Sequence, residues 1–187
     1  GRVRLEWPGD PGALEWAREC FSREVGRGET FGELALFSEL LGRFRTEATQ
    51  GIAADALSAW IERGDASYLV DAEARRALGK TRDPRALAIL TGRYATDHPS
   101  WNDCVLQGTV DGLGALRDAA AVPTLLDALD AKHATSVRRS AIAALGSARE
   151  ITSDEPLIEA IRQRIEGTMD SFDPGIRIGA SRTLAVL

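Results

Sequence analysis

His98 and His133 are the two histidines of the chain, and each follows a Leu-Gly pair by the same interval, 19 residues from Gly79 and 19 from Gly114. Equivalent positions in a repeating fold stand about one repeat apart, ~10 Å. A shared metal ion needs each ring nitrogen within ~2.0–2.1 Å of it, so this spacing argues against a two-histidine site. Cys20 and Cys104 lie far apart and in no metal-ligand spacing. Both read as ordinary half-buried thiols, which fits a reducing, cytoplasmic setting. H-E-x-x-H, G-x-S-x-G and phosphate-binding glycine loops are all missing from the sequence. The carboxylates have structural duties. Asp83, Asp118 and Asp173 stand where helix caps belong, and Glu15, Glu19 and Glu24 share a solvated helix face with Arg18 and Arg23. No catalytic residue, metal ligand or cofactor is expected in this chain.

Two clusters are suited to recognising a partner. Gly64-Asp65-Ala66-Ser67-Tyr68-Leu69 carries a tyrosine into a helix start, and Ser100-Trp101-Asn102-Asp103 does the same with a tryptophan one repeat on. Aromatic residues at matching junctions would line one edge of a repeat array, where Tyr68, Trp101 and Asn102 would meet a peptide or protein. The simpler reading wedges Tyr68 and Trp101 between adjacent repeats and leaves their polar neighbours as a capping box. Arg138 and Arg139, with Arg177 at the matching place in the last repeat and with Arg75 and Arg76, make a basic row that would suit an acidic ligand.

The elements that must position these residues come from an internal repeat. Leu41-Gly42, Leu78-Gly79, Leu113-Gly114 and Leu145-Gly146 recur, with Leu184-Ala185 as a degenerate copy, in steps of 37, 35, 32 and 39 residues. Before each anchor the same pattern returns: Val70, Ala74, Ala77, Leu78; Val105, Thr109, Gly112, Leu113; Val137, Ala141, Ala144, Leu145; Ile176, Ala180, Thr183, Leu184. A spacing of i, i+4, i+7, i+8 is one face of an α-helix. Glu33 and Phe37 break the pattern in the earliest copy and predict a different packing there. Each glycine is expected to stop its helix in the left-handed conformation. A second helix then follows, opened by Asp83-Pro84 in one repeat and Asp118 in the next. The apolar faces of these second helices are Ala86, Leu87 and Leu90; Val122, Leu125, Leu126 and Leu129; and Leu157, Ile158, Ile161 and Ile165. An earlier one, about residues 47–62, uses Ile52, Leu57, Trp60 and Ile61. Residues 12–25 predict another helix, and Val3, Leu5 and Trp7 alternate in an extended or linker segment.

With 44% hydrophobic and 27% charged residues the chain is globular rather than disordered. Lys and Arg number 23 against 28 Asp and Glu, a net charge of -5 that disfavours nucleic acid as a ligand. No apolar run approaches the ~20 residues of a membrane helix, and no signal peptide is recognisable. Gly1 stands where an initiating Met would, and the terminal Ala185-Val186-Leu187 has no polar cap. Both features fit a processed or excised chain.

The resulting expectation is an all-α, α-α superhelix of about four to five hairpins. It forms one domain over residues 1–187, with 1–30 a partial first repeat and 31–187 the repeats. The Ala-Leu-Gly-x-x-x-Asp-Pro signature resembles HEAT-like repeat solenoids. Two blocks narrow the resemblance: residues 64–74 followed by 77–87, and Ser100-Trp101-Asn102-Asp103 continuing through Val137-Arg138-Arg139-Ser140-Ala141 to Leu145-Gly146. In that order they resemble the C-terminal HEAT-like region of bacterial and archaeal zinc aminopeptidases of the aminopeptidase N type, over about residues 31–187. That resemblance implies a noncatalytic domain shaping substrate access to a catalytic domain of the same polypeptide. Zinc would belong to that domain, outside this chain. The alternative is a stand-alone HEAT-repeat adaptor for protein–protein interaction. A repeat protein with its own lyase or glycosylase activity would need convergent acid–base residues that the sequence does not supply.

Overall fold

The computed structural model describes residues 10–27, 36, 38–64, 67–97 and 103–187. Among these there is no strand. Helix α1 (Pro11–Arg27) is followed by a helical stretch at 38–41. Next come α2 (Gln50–Arg63), α3 (Tyr68–Thr81), α4 (Arg85–Thr96) and α5 (Asp103–Leu116). A 3₁₀ turn (Ala119–Ala121) leads into α6 (Val122–Asp127), then α7 (Thr135–Leu145), α8 (Ala148–Ile151), α9 (Glu155–Glu166) and α10 (Pro174–Leu184). Val3, Leu5, Trp7, Glu33 and Phe37 lie outside the described residues.

The architecture is the helical-repeat superhelix that the periodicity predicts. Helices α3, α5, α7 and α10 pack each on the next as one layer, and each second helix packs on the first helix that comes after it: α2 on α3, α4 on α5, α6 on α7 and α9 on α10. The repeating face is the contact surface. Val70, Ala74, Ala77 and Leu78 are fully buried, as are Val137 and Ala141, with Ala144 and Leu184 partly covered at the same positions. The two threonines on this face are satisfied: Thr109 Oγ1 donates to the Val105 carbonyl at 3.1 Å and Thr183 Oγ1 to that of Ile142 at 3.2 Å. Each buried leucine of the pattern stabilises the stack by about 1.5–3 kcal/mol relative to exposure.

Acidic caps start the helices. Asp83 Oδ1 accepts the N–H of Arg85 at 2.9 Å, Asp118 Oδ1 that of Ala120 at 2.9 Å, and Asp173 Oδ1 that of Ile176 at 2.8 Å, with Pro174 in the first turn of α10.

The helix ends depart from expectation. Gly79 and Gly114 lie inside α3 and α5, and Gly146 keeps a right-handed φ of -61°. Among the described residues, those in the left-handed conformation are Arg82 (φ 57°) and Arg117 (φ 55°), three positions later, together with Gly64 (φ 67°) at the end of α2. The anchor glycines serve close approach instead. A Cβ on Gly42 would stand 2.8 Å from the Ala77 carbonyl oxygen, and one on Gly114 would stand 2.5 Å from the Cβ of Ala144. A second departure concerns α2, where Ile52 is 42% exposed and Ala53 and Ala54 take the buried positions instead.

Candidate partner-binding surface

Tyr68 opens α3 and is 47% exposed, and Leu69 beside it is 46% exposed. Ser67 holds the turn by accepting the N–H of Leu69 at 3.3 Å. Tyr68 is therefore half-exposed rather than wedged out of sight between repeats. Ser100, Trp101 and Asn102, the matching junction, and His98 lie outside the described residues.

The basic row does not form a free stripe, because Arg75, Arg76 and Arg139 staple repeats together and Arg138 and Arg177 bond nearby carbonyls. Arg75 is 3% exposed and grips both carboxylate oxygens of Asp71 at 2.9 Å each. It also pairs with Asp97 after α4 and donates to Thr109 Oγ1 of α5 at 3.0 Å. Arg76 reaches Asp111 of α5 at 3.0 Å and pairs with Glu73 on its own helix. Burial opposes the charge of Arg76, but the two carboxylates outweigh it and raise its pKa. Arg139 forks onto Asp173 of the next repeat at 2.7 and 2.8 Å, and this bond with the amides at the α10 start holds the Asp173 carboxyl below its usual pKa. Arg138 Nε donates to the Leu129 carbonyl at 3.0 Å, and Arg177 to those of Ser171 and Phe172 at 2.6 and 3.1 Å. A guanidinium with five donors in a rigid fork suits such bridging between helices.

The second helices are stapled too, by a network that the sequence spacing does not announce. Tyr94 of α4 donates its hydroxyl to Asp127 Oδ2 at 2.6 Å. Its oxygen lies 2.9 Å from His133 Nε2. Because the phenol proton goes to the carboxylate, Nε2 is the donor in that second contact. Lys132 adds an ion pair to Asp127 at 2.7 Å. Burial pushes the Asp127 pKa up, yet the hydrogen bonds from Lys132, Tyr94 and His133 prevail and bring it down to about 2. Burial, and then the neighbouring carboxylate, drive the Tyr94 phenol far above its ordinary value. A phenol so hard to ionise, against a histidine with a 2% exposed side chain, is a structural lock and not an acid–base pair open to substrate. Arg93 of α4 and Arg164 of α9 complete this layer, donating to the carbonyls of Ile61 and Leu126 one repeat back at 3.0 and 3.3 Å. The matching loop positions of His98 and His133 gave a hint, but Tyr94 stands 39 residues from His133, and no helical period connects them.

Among the described residues no three of His, Cys, Asp and Glu gather in a metal-binding arrangement. His133 Nε2 is engaged with Tyr94. No helix among the described residues is long and apolar enough to cross a membrane.

An open groove of about 450 Å³ lies between α1 and α2, lined by Arg18, Phe21, Ser22, Ala56, Ala59, Trp60 and Arg63. Phe21 meets Trp60 edge-on at 5.4 Å and the Arg63 guanidinium lies 5.5 Å over the indole. The Phe21–Trp60 contact ties α1 to the stack.

Compared with known families, residues 107–131 match the PBS lyase HEAT-like repeat. The match runs from Gln107, within α5, through the 3₁₀ turn and α6, which is one hairpin of the superhelix. No curated protein matches the chain. The chain thus contains a HEAT-like repeat, and stacks of such repeats present extended surfaces to protein partners.

Proposed function

We propose that this chain is a noncatalytic helical-repeat scaffold that meets a peptide or protein partner along its exposed helix junctions, Tyr68 and Leu69 among them. One observation carries this reading. The side chains best suited to chemistry among the described residues are engaged across repeats, Arg75 with Thr109, Tyr94 with Asp127 and His133, and Arg139 with Asp173, so these groups hold the stack together.

In its finer form the reading makes the chain the wall of a zinc aminopeptidase, a curved surface that limits which peptides reach a catalytic domain elsewhere in the polypeptide. The order of the residue 64–87 and Ser100–Asp103 blocks supports it. The zinc chemistry would then lie outside this chain. The complete reading frame tests the finer form: H-E-x-x-H with a downstream glutamate upholds it, and a full-length frame without them overturns it in favour of a stand-alone adaptor. The scaffold reading itself is tested by assaying the pure, metal-free chain against aminoacyl and peptide substrates. No turnover is expected; turnover abolished by a substitution within this chain would overturn it.

A further inference from the structure

The Leu-Gly register marks a second periodic residue. Arg45, Arg82, Arg117 and Arg149 each stand three positions after an anchor glycine, at Gly42, Gly79, Gly114 and Gly146. All four are exposed. Three of them converge. A cleft of about 240 Å³ at this edge is lined by Gly42, Arg43, Arg45, Lys80, Arg82, Ala115 and Arg117. Five of its seven lining residues are cations and none is a carboxylate, on a chain whose net charge is -5.

Cations near helix C-termini complement the helix dipole, which accounts for a lysine or arginine at each end. It does not account for where two of them sit. Arg82 and Arg117 take the left-handed conformation, with φ 57° and 55°, where glycine is at ease and a long side chain is disfavoured. Arginine in the same unfavourable place in two successive repeats, with both side chains on one cleft, is a local conflict of the kind that marks functional sites. The ion pairs here are exposed: Arg43 with Glu39 at 3.0 Å and Arg117 with Glu150 at 2.6 Å. Lys80 reaches Glu73 only at 3.7 Å. Solvent-exposed pairs of this kind are easily exchanged for a ligand's carboxylates.

The spacing selects the ligand. Helices that touch through glycine backbones, as α3 and α5 do, approach at the short end of the ~8–10 Å range. A polyproline-type extended peptide has three residues per turn and advances ~3.1 Å per residue, so every third side chain returns to the same face after about 9 Å. We propose that the cleft of Arg43, Arg45, Lys80, Arg82 and Arg117 docks an extended acidic segment of a partner protein, with a carboxylate at every third residue meeting successive repeats. The proposal rests on the scaffold reading and names the chemistry of its partner. A nucleic acid fits less well, since its continuous charge would also face the acidic remainder of the surface.

The test uses the whole chain and a fluorescein-labelled nine-residue peptide with glutamate at every third position and proline or serine between. Its binding is measured by anisotropy at low and moderate salt. The spaced peptide is expected to bind, more weakly as salt rises, and at least tenfold more tightly than an isomer with its glutamates adjacent. The double variant Arg82→Gly/Arg117→Gly removes two charges while relieving the left-handed backbone. It is expected to weaken binding at least tenfold with a melting temperature unchanged or raised. Arg45→Gln, at a position without that backbone demand, is expected to weaken binding in the same direction and serves if the double variant fails to fold. Arg162→Ser on α9, outside the cleft, is expected to leave binding unchanged. No binding of the spaced peptide, equal binding of both isomers, binding that survives both cleft variants, or tighter binding of a single-stranded oligonucleotide would each overturn the proposal. None of these results bears on substrate turnover, so the scaffold reading stands or falls separately.

Discussion

Gly79 of α3 and Gly112 of α5 meet backbone to backbone: a Cβ on Gly79 would lie 2.6 Å from the Cα of Gly112 and closer still to its carbonyl oxygen. Gly108 repeats the contact one turn earlier, where a Cβ would stand 2.6 Å from the Cα of Ala72. Two rigid helices held this closely leave no side chain that can yield, so the register between these repeats is set by the backbone itself.

Gly79→Ala should therefore destabilise the chain despite the higher helix propensity of alanine. Overpacking a tight contact costs about 1–3 kcal/mol, and here the obstacle is backbone, which places the expected loss at the upper end. Gly92 of α4 is the control, because a Cβ there meets nothing within 4 Å. Gly92→Ala should stabilise by about 0.5–1 kcal/mol. Urea denaturation of both variants reads the difference, and equal effects would refute the close-approach role.

Arg75 is the most deeply buried charge of the first-helix layer, with three acceptors on three elements: Asp71 on α3, Asp97 after α4 and Thr109 on α5. Arg75→Ala leaves Asp71 and Asp97 without their counter-charge, and breaking such a pair costs about 3–5 kcal/mol. Arg75→Lys keeps the charge but cannot fork onto Asp71 while reaching Thr109, so it should recover only part of the loss. Full recovery by lysine, measured by denaturation, would mean that charge alone matters.

The parts of this structure that could be read in advance are those set by local period. Val70, Ala74, Ala77 and Leu78 share a buried face because 3.6 residues per turn put them there, and no knowledge of the rest of the chain is needed. Asp83 and Asp173 are legible as caps because the proline and the backbone amides they serve lie within the next three residues. The role of Gly79 could not be read that way. A glycine after leucine at the end of an Ala-rich stretch looks the same whether it terminates a helix or lies against a neighbour, and the deciding partner is Gly112 in the next repeat. The arginines misled for a similar reason: Arg75, Arg76 and Arg139 align as a stripe in one dimension, while their carboxylates arrive from other helices. The Arg82 and Arg117 cleft carried a periodic signal three residues beyond the anchor, but its meaning depends on helices ending where they do.

Stability should fall in acid through Asp127. Its carboxyl titrates at about 2 in the folded chain against ~3.9 unfolded. A depressed folded value contributes stability that is complete above the unfolded pKa and is lost as pH falls from about 4 toward 2. Asp127 is 40% exposed, so screening reduces the effect to about 1 kcal/mol. Denaturation midpoints of the wild type and Asp127→Asn, compared at pH 7 and pH 3, should converge at the lower pH. A constant gap between them would show that the ionised form is not what is stabilised.

Tyr94→Phe removes the hydroxyl that joins α4 to both Asp127 and His133. The ring stays and continues to fill its buried site, so only the polar part of the lock is lost. His133 Nε2 keeps its longer 3.4 Å contact to Asp127 Oδ2, so the loss is that of the Tyr94 hydrogen bonds, about 0.5–1.5 kcal/mol each. Amide exchange should report faster opening at the α4–α6 junction, with α10 unaffected. Uniform loosening of the whole stack would mean that the repeats unfold as a single unit and that the lock is not local.

Asp173 serves two purposes that substitution can separate. Its Oδ1 accepts the Ile176 N–H at 2.8 Å, capping α10, while both oxygens take the Arg139 fork from α7. Removing a cap costs about 1 kcal/mol, and an exposed ion pair adds about 0–1 kcal/mol. Asp173→Ser keeps a capping oxygen and loses the charge, so it should cost less than Asp173→Ala. Combining each with Arg139→Ala isolates the pair: if the coupling between positions 139 and 173 is near zero in the cycle, the last repeat is held by its cap and its buried face, and the inter-repeat arginine there contributes only geometry. A coupling of about 1 kcal/mol or more would make the Arg139–Asp173 bridge a true staple, equivalent at the surface to what Arg75 does inside.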